Sequence, residues 1–214
     1  MITTLTKNET LLLIDGPAGK VELVLGTPEG KSNGAWGIVC HPHPLFGGTM
    51  HNKVVTTMTK VFQHFGLTSV RFNFRGVGQS EGEYDRGNGE LEDLMAVIDW
   101  VLDQRINQDI WLAGFSFGAY VALRAAIVRK EVKKLVTIAP PVENFPILEL
   151  PPVTIPWILV QGEKDDVVVP EKVLAWAESR EPKPVIIRFP EAGHFFHGQL
   201  QELRTRIEEA LAKN

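Results

Sequence analysis

Short apolar runs and helix-spaced apolar stripes alternate along most of this chain. A run of about four to eight apolar residues is typical of a buried strand, and an apolar stripe at three- and four-residue spacing is typical of a helix packed on a sheet. The runs predict strands at Thr10–Asp15, Lys20–Gly26, Gly37–Cys40, Thr68–Phe74, Ile110–Ala113, Lys133–Ala139, Ile155–Gly162 and Val185–Phe189. The stripes predict helices at Asn52–His64, Glu90–Gln104, Ala119–Val128, Glu171–Ser179 and Gln199–Ala212.

The order of these elements predicts the fold class. Gly16-Pro17-Ala18-Gly19 joins the first two strands, which predicts an antiparallel β-hairpin at the amino-terminal edge of a sheet. Strands and helices then alternate with short connections, a pattern that predicts a mostly parallel sheet with helices on both faces. We therefore predict an α/β fold in a single domain over residues 1–214. In such folds the reactive groups lie beyond the carboxyl ends of the strands.

One such strand end carries the stretch Gly114-Phe115-Ser116-Phe117-Gly118. Between a strand and a helix, G-x-S-x-G forms a nucleophile elbow, a sharp turn that exposes the serine hydroxyl. A Cβ at position 114 or 118 would collide with the neighbouring strand or helix, which explains the two glycines. A glycine-rich turn with an incidental serine would have the same residues, so other parts of the chain must distinguish the two interpretations.

Later strand ends supply an acid and a base. A nucleophilic serine needs a base within hydrogen-bond reach, and a histidine base needs a carboxylate to orient it. Asp165 and Asp166 follow the predicted strand 155–162, and His194 follows the strand 185–189. Either aspartate could instead cap the next helix, and the histidine could be an ordinary loop residue. Three such coincidences at strand ends, in the order serine, acid, histidine, favour a catalytic triad.

Composition excludes several other classes of function. A net charge of −4 and a pI near 5.9 give no electrostatic case for a nucleic-acid or anionic-membrane partner. The single Cys40 rules out an internal disulfide and fits a reducing compartment. No apolar segment approaches the roughly 20 residues that cross a bilayer, and the amino terminus is unlike a signal peptide. We predict a cytoplasmic protein without a membrane span.

Several segments resemble the α/β-hydrolase family over nearly the whole chain. They are HPHPLFGGTMHNKVV, RFNFRGVGQSEG, GFSFGA, QGEKDDVV and AGHFFHG. Together they are similar to the small, capless bacterial α/β hydrolases related to dienelactone hydrolase-like and serine-aminopeptidase-like proteins. The resemblance implies an α/β-hydrolase fold with Ser116 as nucleophile, Asp165 as acid and His194 as base. The family pattern has the acid three residues after the strand-end glycine, Gly162, which selects Asp165 over Asp166.

An oxyanion hole needs two donors for the tetrahedral intermediate. The first is expected to be the amide of Phe117, directly after the nucleophile. The second is expected from the loop after strand 37–40, where many relatives have His-Gly. Here two prolines stand in that loop without an N–H group, which leaves the amide of His43 or that of Leu45. We favour Leu45, because the prolines stiffen the approach and present the next free amide.

The same loop invites a metal interpretation. His41 and His43 form an H-x-H pair with His51 nearby, but a zinc site needs further ligands, and no cysteine or acidic cluster accompanies them. We predict no metal and no cofactor. We expect the histidines to order the loop through hydrogen bonds instead.

The segment before the acid bears on substrate access. Residues 140–154 are proline-rich and too short to roof a deep pocket, which predicts a minimal cap or none. We expect an open site whose rim suits a small or mobile acyl group. The predicted rim residues, which could instead pack in the core, are Phe46, Val142, Phe145, Ile147, Phe195 and Phe196.

These features predict a serine hydrolase acting on a small-molecule ester or thioester through an acyl-enzyme. A small peptidase or amidase would use the same triad. A catalytically silent binding protein on this fold is the third alternative, which an intact serine, acid and histidine disfavours. The exposed edge of the amino-terminal hairpin could pair with a second chain, which makes a homodimer possible.

Overall fold

A computed structural model describes residues 2–104 and 109–213. Within these residues the chain forms a nine-stranded sheet with five α-helices. The strands are β1 (Ile2–Thr6), β2 (Glu9–Gly16), β3 (Gly19–Gly26), β4 (Trp36–Cys40), β5 (Thr68–Phe72), β6 (Ile110–Phe115), β7 (Val132–Ile138), β8 (Trp157–Gly162) and β9 (Val185–Phe189). The helices are α1 (Lys53–His64), α2 (Asn88–Asp103), α3 (Phe117–Val128), α4 (Pro170–Glu178) and α5 (Leu200–Lys213).

The sheet confirms the predicted α/β class. Its strand order is β1-β2-β3-β5-β4-β6-β7-β8-β9, with antiparallel pairing from β1 to β5 and parallel pairing from β5 to β9. Helices α1 and α5 pack together, and α2 packs on α3. The predicted hairpin is β2 and β3. The edge of the sheet, however, is β1, a short threonine-rich strand that the hydrophobic pattern did not predict.

The chain reverses direction in the sheet around β4. It passes from β4 to β5 on one side and then returns to β6 on the other side of β4. Open α/β sheets bind ligands at the carboxyl ends of strands next to such a reversal, because the two loops diverge there and leave a crevice. The loops after β4 and β6 therefore border the position where a site is expected.

The connection between β7 and β8 is short, as predicted. Its only helical turn among the described residues is a single 3₁₀ turn, Ile147–Glu149. A second 3₁₀ turn, Pro44–Phe46, lies in the loop after β4, with the side chain of His43 capping its first amide. Within the described ranges no helix is long and apolar enough to cross a bilayer.

Candidate active site

Ser116 occupies a strained turn between β6 and α3. Its φ of 52° and ψ of −120° lie in a region that non-glycine residues rarely adopt. Backbone strain of this kind costs about 1–3 kcal/mol and persists only where the surroundings enforce it. The Ser116 N–H donates to the carbonyl oxygen of Ile138 at 2.8 Å, and the Ser116 carbonyl accepts from Ala119 at 2.8 Å. The neighbouring strand and helix thus hold the turn.

The two flanking glycines allow the close packing of this turn. A Cβ on Gly114 would lie 2.1 Å from the carbonyl oxygen of Gly118. A Cβ on Gly118 would lie 2.4 Å from the carbonyl oxygen of Cys40, at the end of β4. The collisions expected from the sequence are therefore confirmed, and α3 begins directly against the loop that follows β4.

Asp165 and His194 form a buried hydrogen-bonded pair. The Nδ1 of His194 lies 2.8 Å from Oδ2 of Asp165, and the two side chains are 3% and 0% exposed. The same carboxylate accepts from the amides of Val167 at 2.8 Å and Val168 at 2.9 Å. Asp166, the alternative acid, is exposed to solvent. Of the two aspartates, the structure joins Asp165 to the histidine.

Hydrogen bonding keeps this acid ionised. Burial alone would raise the pKa of the Asp165 carboxyl, but the hydrogen bonds from His194 and from the amides of Val168 and Val167 outweigh it, so the pKa lies below its ordinary value. An ionised carboxylate accepts the Nδ1–H of the imidazole. The Nε2 of His194 is then left unprotonated. In this tautomer the imidazole can accept a proton as a general base.

Two cavities meet at Ser116. The smaller one, of about 370 Å³, is lined by Ser116 and His194 together with Phe195. The larger one, of about 520 Å³, extends from Ser116 along Tyr84 and Phe145. Serine and histidine thus face one cavity, and the serine also faces a second.

The loop after β4 is fixed by the buried side chain of His41. Its Nε2 accepts the N–H of Phe74 at 3.0 Å, so Nδ1 carries the proton and donates to the carbonyl oxygen of Pro42 at 2.6 Å. In a planar trans peptide the N–H points opposite to the C=O. Because the Pro42 carbonyl is turned toward the His41 ring, the N–H of His43 points away from that ring.

The amide of Leu45 is already engaged within the loop. It donates to Nδ1 of His43 at 3.2 Å, and the Leu45 side chain is 67% exposed. This corrects the preference for Leu45 as an oxyanion donor. In the 3₁₀ turn Pro44–Phe46 the Leu45 amide points back onto the ring of His43, the residue that caps the turn. The backbone amide of Phe117, the other expected donor, is the first of α3, where N–H groups lack intrahelical partners.

The predicted rim residues divide into two groups. Phe46 and Phe195 are exposed and line cavities at Ser116, as does the partly buried Phe145. Ile147 and Phe196 are fully buried in the core, and Val142 is 3% exposed and borders a separate groove behind Phe145. The rim assignment was wrong for these last three, because the segments that carry them fold back onto the sheet.

Several residues of the larger cavity were not predicted from the sequence, Tyr84 and Arg86 among them. Tyr84 and Arg86 line the larger cavity and come from the Gly- and Glu-rich segment after β5. The one available signal was Tyr84 itself, an aromatic residue in a polar stretch and one of only two tyrosines in the chain.

The histidines of the β4 loop are held by hydrogen bonds within the protein. The His41 ring contacts Phe74 and Pro42, and the His43 ring contacts Leu45 and, at 3.0 Å, the hydroxyl of Tyr84. Within residues 2–104 and 109–213, no group of three or more His, Cys, Asp or Glu side chains could hold a metal ion.

Comparison with known proteins gives the family. Residues 15–146 match the family described as X-Pro dipeptidyl-peptidase (S15 family). The chain belongs to this family of the α/β-hydrolase superfamily. It is 46% identical to an α/β serine hydrolase homologue from Coxiella burnetii, with a TM-score of 0.91 and coverage of 98% of this chain and 99% of that one.

Two further relatives agree with this placement. XC6422 from Xanthomonas campestris, an α/β serine hydrolase without a lid, is 40% identical, has a TM-score of 0.90 and is matched over 99% of this chain and 97% of its own. The protein RP471 of Rickettsia prowazekii is 34% identical over 94% of this chain and 87% of its own length. The chain is therefore a hydrolase of the α/β serine-hydrolase type with a lid-less architecture.

Proposed function

We propose that this hydrolase cleaves carboxylic esters or thioesters through an acyl-enzyme on Ser116. The proposal rests on the buried hydrogen bond between Asp165 and His194. The imidazole of His194 lines the same cavity as Ser116. In this reaction the Ser116 hydroxyl attacks the acyl carbon and gives its proton to Nε2 of His194. The imidazolium returns the proton to the leaving group, and a water molecule then releases the acid by the same steps.

The oxyanion of each tetrahedral intermediate would accept hydrogen bonds from two backbone amides. One is Phe117, at the start of α3, where the helix dipole also favours negative charge. The other is His43, since the Leu45 amide donates to an imidazole and prolines have no amide hydrogen. Each such donor contributes about 3–4 kcal/mol to lowering the barrier.

A peptidase or amidase is the second candidate, supported by the match to the S15 peptidase family over residues 15–146. An aminopeptidase-type substrate carries an ammonium group, for which a carboxylate partner is expected. Among the described residues that line the two cavities at Ser116 there is no Asp or Glu, and the larger cavity contains Arg86. This charge distribution favours acyl substrates without a cationic group near the scissile bond.

The test combines covalent labelling with substrate turnover. A fluorophosphonate probe should label the wild type and not Ser116→Ala, and p-nitrophenyl butyrate hydrolysis should fall by about 10⁶-fold in that variant. Ser32→Ala, on an exposed loop before β4, is the matched control and should behave as wild type.

Faster turnover of aminoacyl p-nitroanilides than of matched esters would favour the peptidase, and failure to label folded protein would favour a silent binding protein. The cytoplasmic location and the homodimer stay predictions from the sequence.

A further inference from the structure

We propose that the larger cavity at Ser116 binds the acyl group of the substrate and that Tyr84 selects acyl groups that carry an oxygen acceptor. The inference rests on the proposed hydrolase function and extends it to a substrate class. It follows from the division of the site into two cavities and from the proton positions in the contact between His43 and Tyr84.

The two cavities differ in their access to the base. His194 lines the smaller cavity with Ser116, whereas the larger cavity is lined on the Ser116 side by Phe117 and by residues of other loops. The leaving group must receive a proton from His194, so it has to lie within reach of that ring. The acyl group, on the other side of the reacting carbon, then occupies the larger cavity.

The hydrogen bonds of His43 fix where its proton lies. The N–H of Leu45 donates to Nδ1 of His43, so this nitrogen is unprotonated. Burial lowers the pKa of His43, which keeps its ring neutral at neutral pH. A neutral ring without a proton on Nδ1 carries it on Nε2. That N–H therefore donates to the hydroxyl oxygen of Tyr84, 3.0 Å away.

This arrangement leaves the hydroxyl proton of Tyr84 directed away from His43. The phenol ring packs against the rings of both His43 and Phe117, with centroids 4.8 and 5.9 Å away, and these contacts hold Tyr84 at the wall of the larger cavity. Burial raises the pKa of Tyr84, and the phenol remains a donor through neutral pH. A ligand that satisfies this donor must offer an acceptor.

The charge of the described lining has the same preference. Besides Tyr84, Ser116 and His43, the polar side chains on this wall are those of Arg86 and Asn144, and the described lining contains no carboxylate. The backbone of Arg86 also adopts a positive φ of 52°, which costs free energy in a non-glycine residue. An acyl chain with an oxo or carboxyl oxygen matches these donors better than a plain hydrocarbon chain.

The experiment compares p-nitrophenyl esters of three acyl groups of similar length: pentanoyl, 4-oxopentanoyl and hemisuccinyl. Tyr84→Phe should lower kcat/KM for the two oxygen-bearing esters by about five- to tenfold and leave the pentanoyl ester within about twofold, the size expected for one lost hydrogen bond. Tyr120→Phe, which alters the chain's other tyrosine, is the matched control and should preserve all three values. Thermal melting of both variants excludes loss of folded protein.

The outcomes separate the proposals. An equal loss on all three esters, or no change in their ratio, would overturn the role of Tyr84 while leaving the hydrolase proposal intact. Retention of pentanoyl ester hydrolysis by Ser116→Ala would instead overturn the proposed function itself. Arg86→Gln identifies the preferred acceptor within the supported class: a loss confined to the hemisuccinyl ester indicates a carboxylate, and no such loss indicates an uncharged carbonyl.

Discussion

The imidazole of His41 accepts the backbone N–H of Phe74 at 3.0 Å, which ties the loop after β4 to the residues that follow β5. This contact determines the tautomer of His41 and therefore the proton on Nδ1 that holds the Pro42 carbonyl at 2.6 Å. The peptide that follows carries the His43 amide. A fully buried side chain that lines neither cavity at Ser116 thus orients a backbone donor proposed for the oxyanion.

Two substitutions of His41 separate its two hydrogen bonds. The Nδ2 of an asparagine can take the place of Nδ1 and still donate to Pro42, whereas the Oε1 of a glutamine can take the place of Nε2 and still accept from Phe74. We expect His41→Gln to lower kcat by about 10- to 100-fold with little change in KM, because an oxyanion donor acts only in the transition state. His41→Asn should retain more of the wild-type kcat.

Steady-state kinetics on a p-nitrophenyl ester, together with urea unfolding of both variants, checks this prediction. Each variant loses one buried hydrogen bond, so their free energies of unfolding should be similar while their kcat values differ. Equal kcat values for the two variants would mean that the Pro42 peptide is oriented by other contacts.

His41 should also make stability depend on pH. Burial lowers the pKa of His41 from 6.5 to about 3. Since the unfolded chain binds this proton more tightly, the stabilisation is fully present above about pH 6.5 and is lost as pH falls toward 3. We expect this residue to contribute a slope of up to about 1.4 kcal/mol per pH unit in that window. Urea unfolding of wild type and His41→Asn at several pH values measures it, and parallel curves for the two proteins would contradict the prediction.

Much of the fold follows from hydrophobic periodicity alone. The parallel strands are buried runs whose carboxyl ends necessarily share one edge, so residues that follow different strands, such as Ser116, Asp165 and His194, were expected there before any coordinates. The edge strand Ile2–Thr6 escaped prediction because threonine-rich strands at an edge bury little apolar surface.

The details of the rim could not be predicted in the same way. Whether an apolar residue between strands and helices faces solvent or the core depends on the path of the chain there. Ile147 and Phe196 are buried, whereas Phe46 is 86% exposed, although all three are apolar and lie in such connections. The direction of a single amide depends on tertiary hydrogen bonds. The Leu45 amide turns onto an imidazole two residues earlier, and nothing in the spacing of the prolines indicates this.

The two adjacent aspartates offer a matched pair of variants. Asp165→Asn removes the charge that orients and stabilises the protonated His194, and kcat for a p-nitrophenyl ester should fall by about 10⁴-fold. Asp166→Asn removes a charge of the same sign from the next residue, which is exposed to solvent. This variant should leave kcat within about twofold of the wild type. Circular dichroism of both proteins verifies folding. The reverse ranking of kcat values would transfer the role of the acid to Asp166.

Gly118 couples the nucleophile turn to the β4 loop through steric contact. A methyl group there would lie 2.4 Å from the Cys40 carbonyl oxygen and 2.5 Å from that of His41, and both are backbone atoms. We expect Gly118→Ala to lower the free energy of unfolding by about 1–3 kcal/mol, even though alanine favours a helix over glycine by about 1 kcal/mol. Gly193→Ala is the control, because its methyl group would approach only the Lys164 carbonyl, at 3.4 Å.

The same substitution should also lower turnover. To accept the methyl group, α3 and the β4 loop must separate, and that moves the Phe117 amide away from the His43 amide. The two donors would then no longer converge on one oxygen, so kcat of the folded Gly118→Ala protein should fall by at least about tenfold with KM nearly unchanged. The measurement is kcat per active enzyme, with the concentration of folded enzyme determined by active-site labelling. A variant that is destabilised yet fully active would show that the two amides are positioned independently of the helix–loop contact.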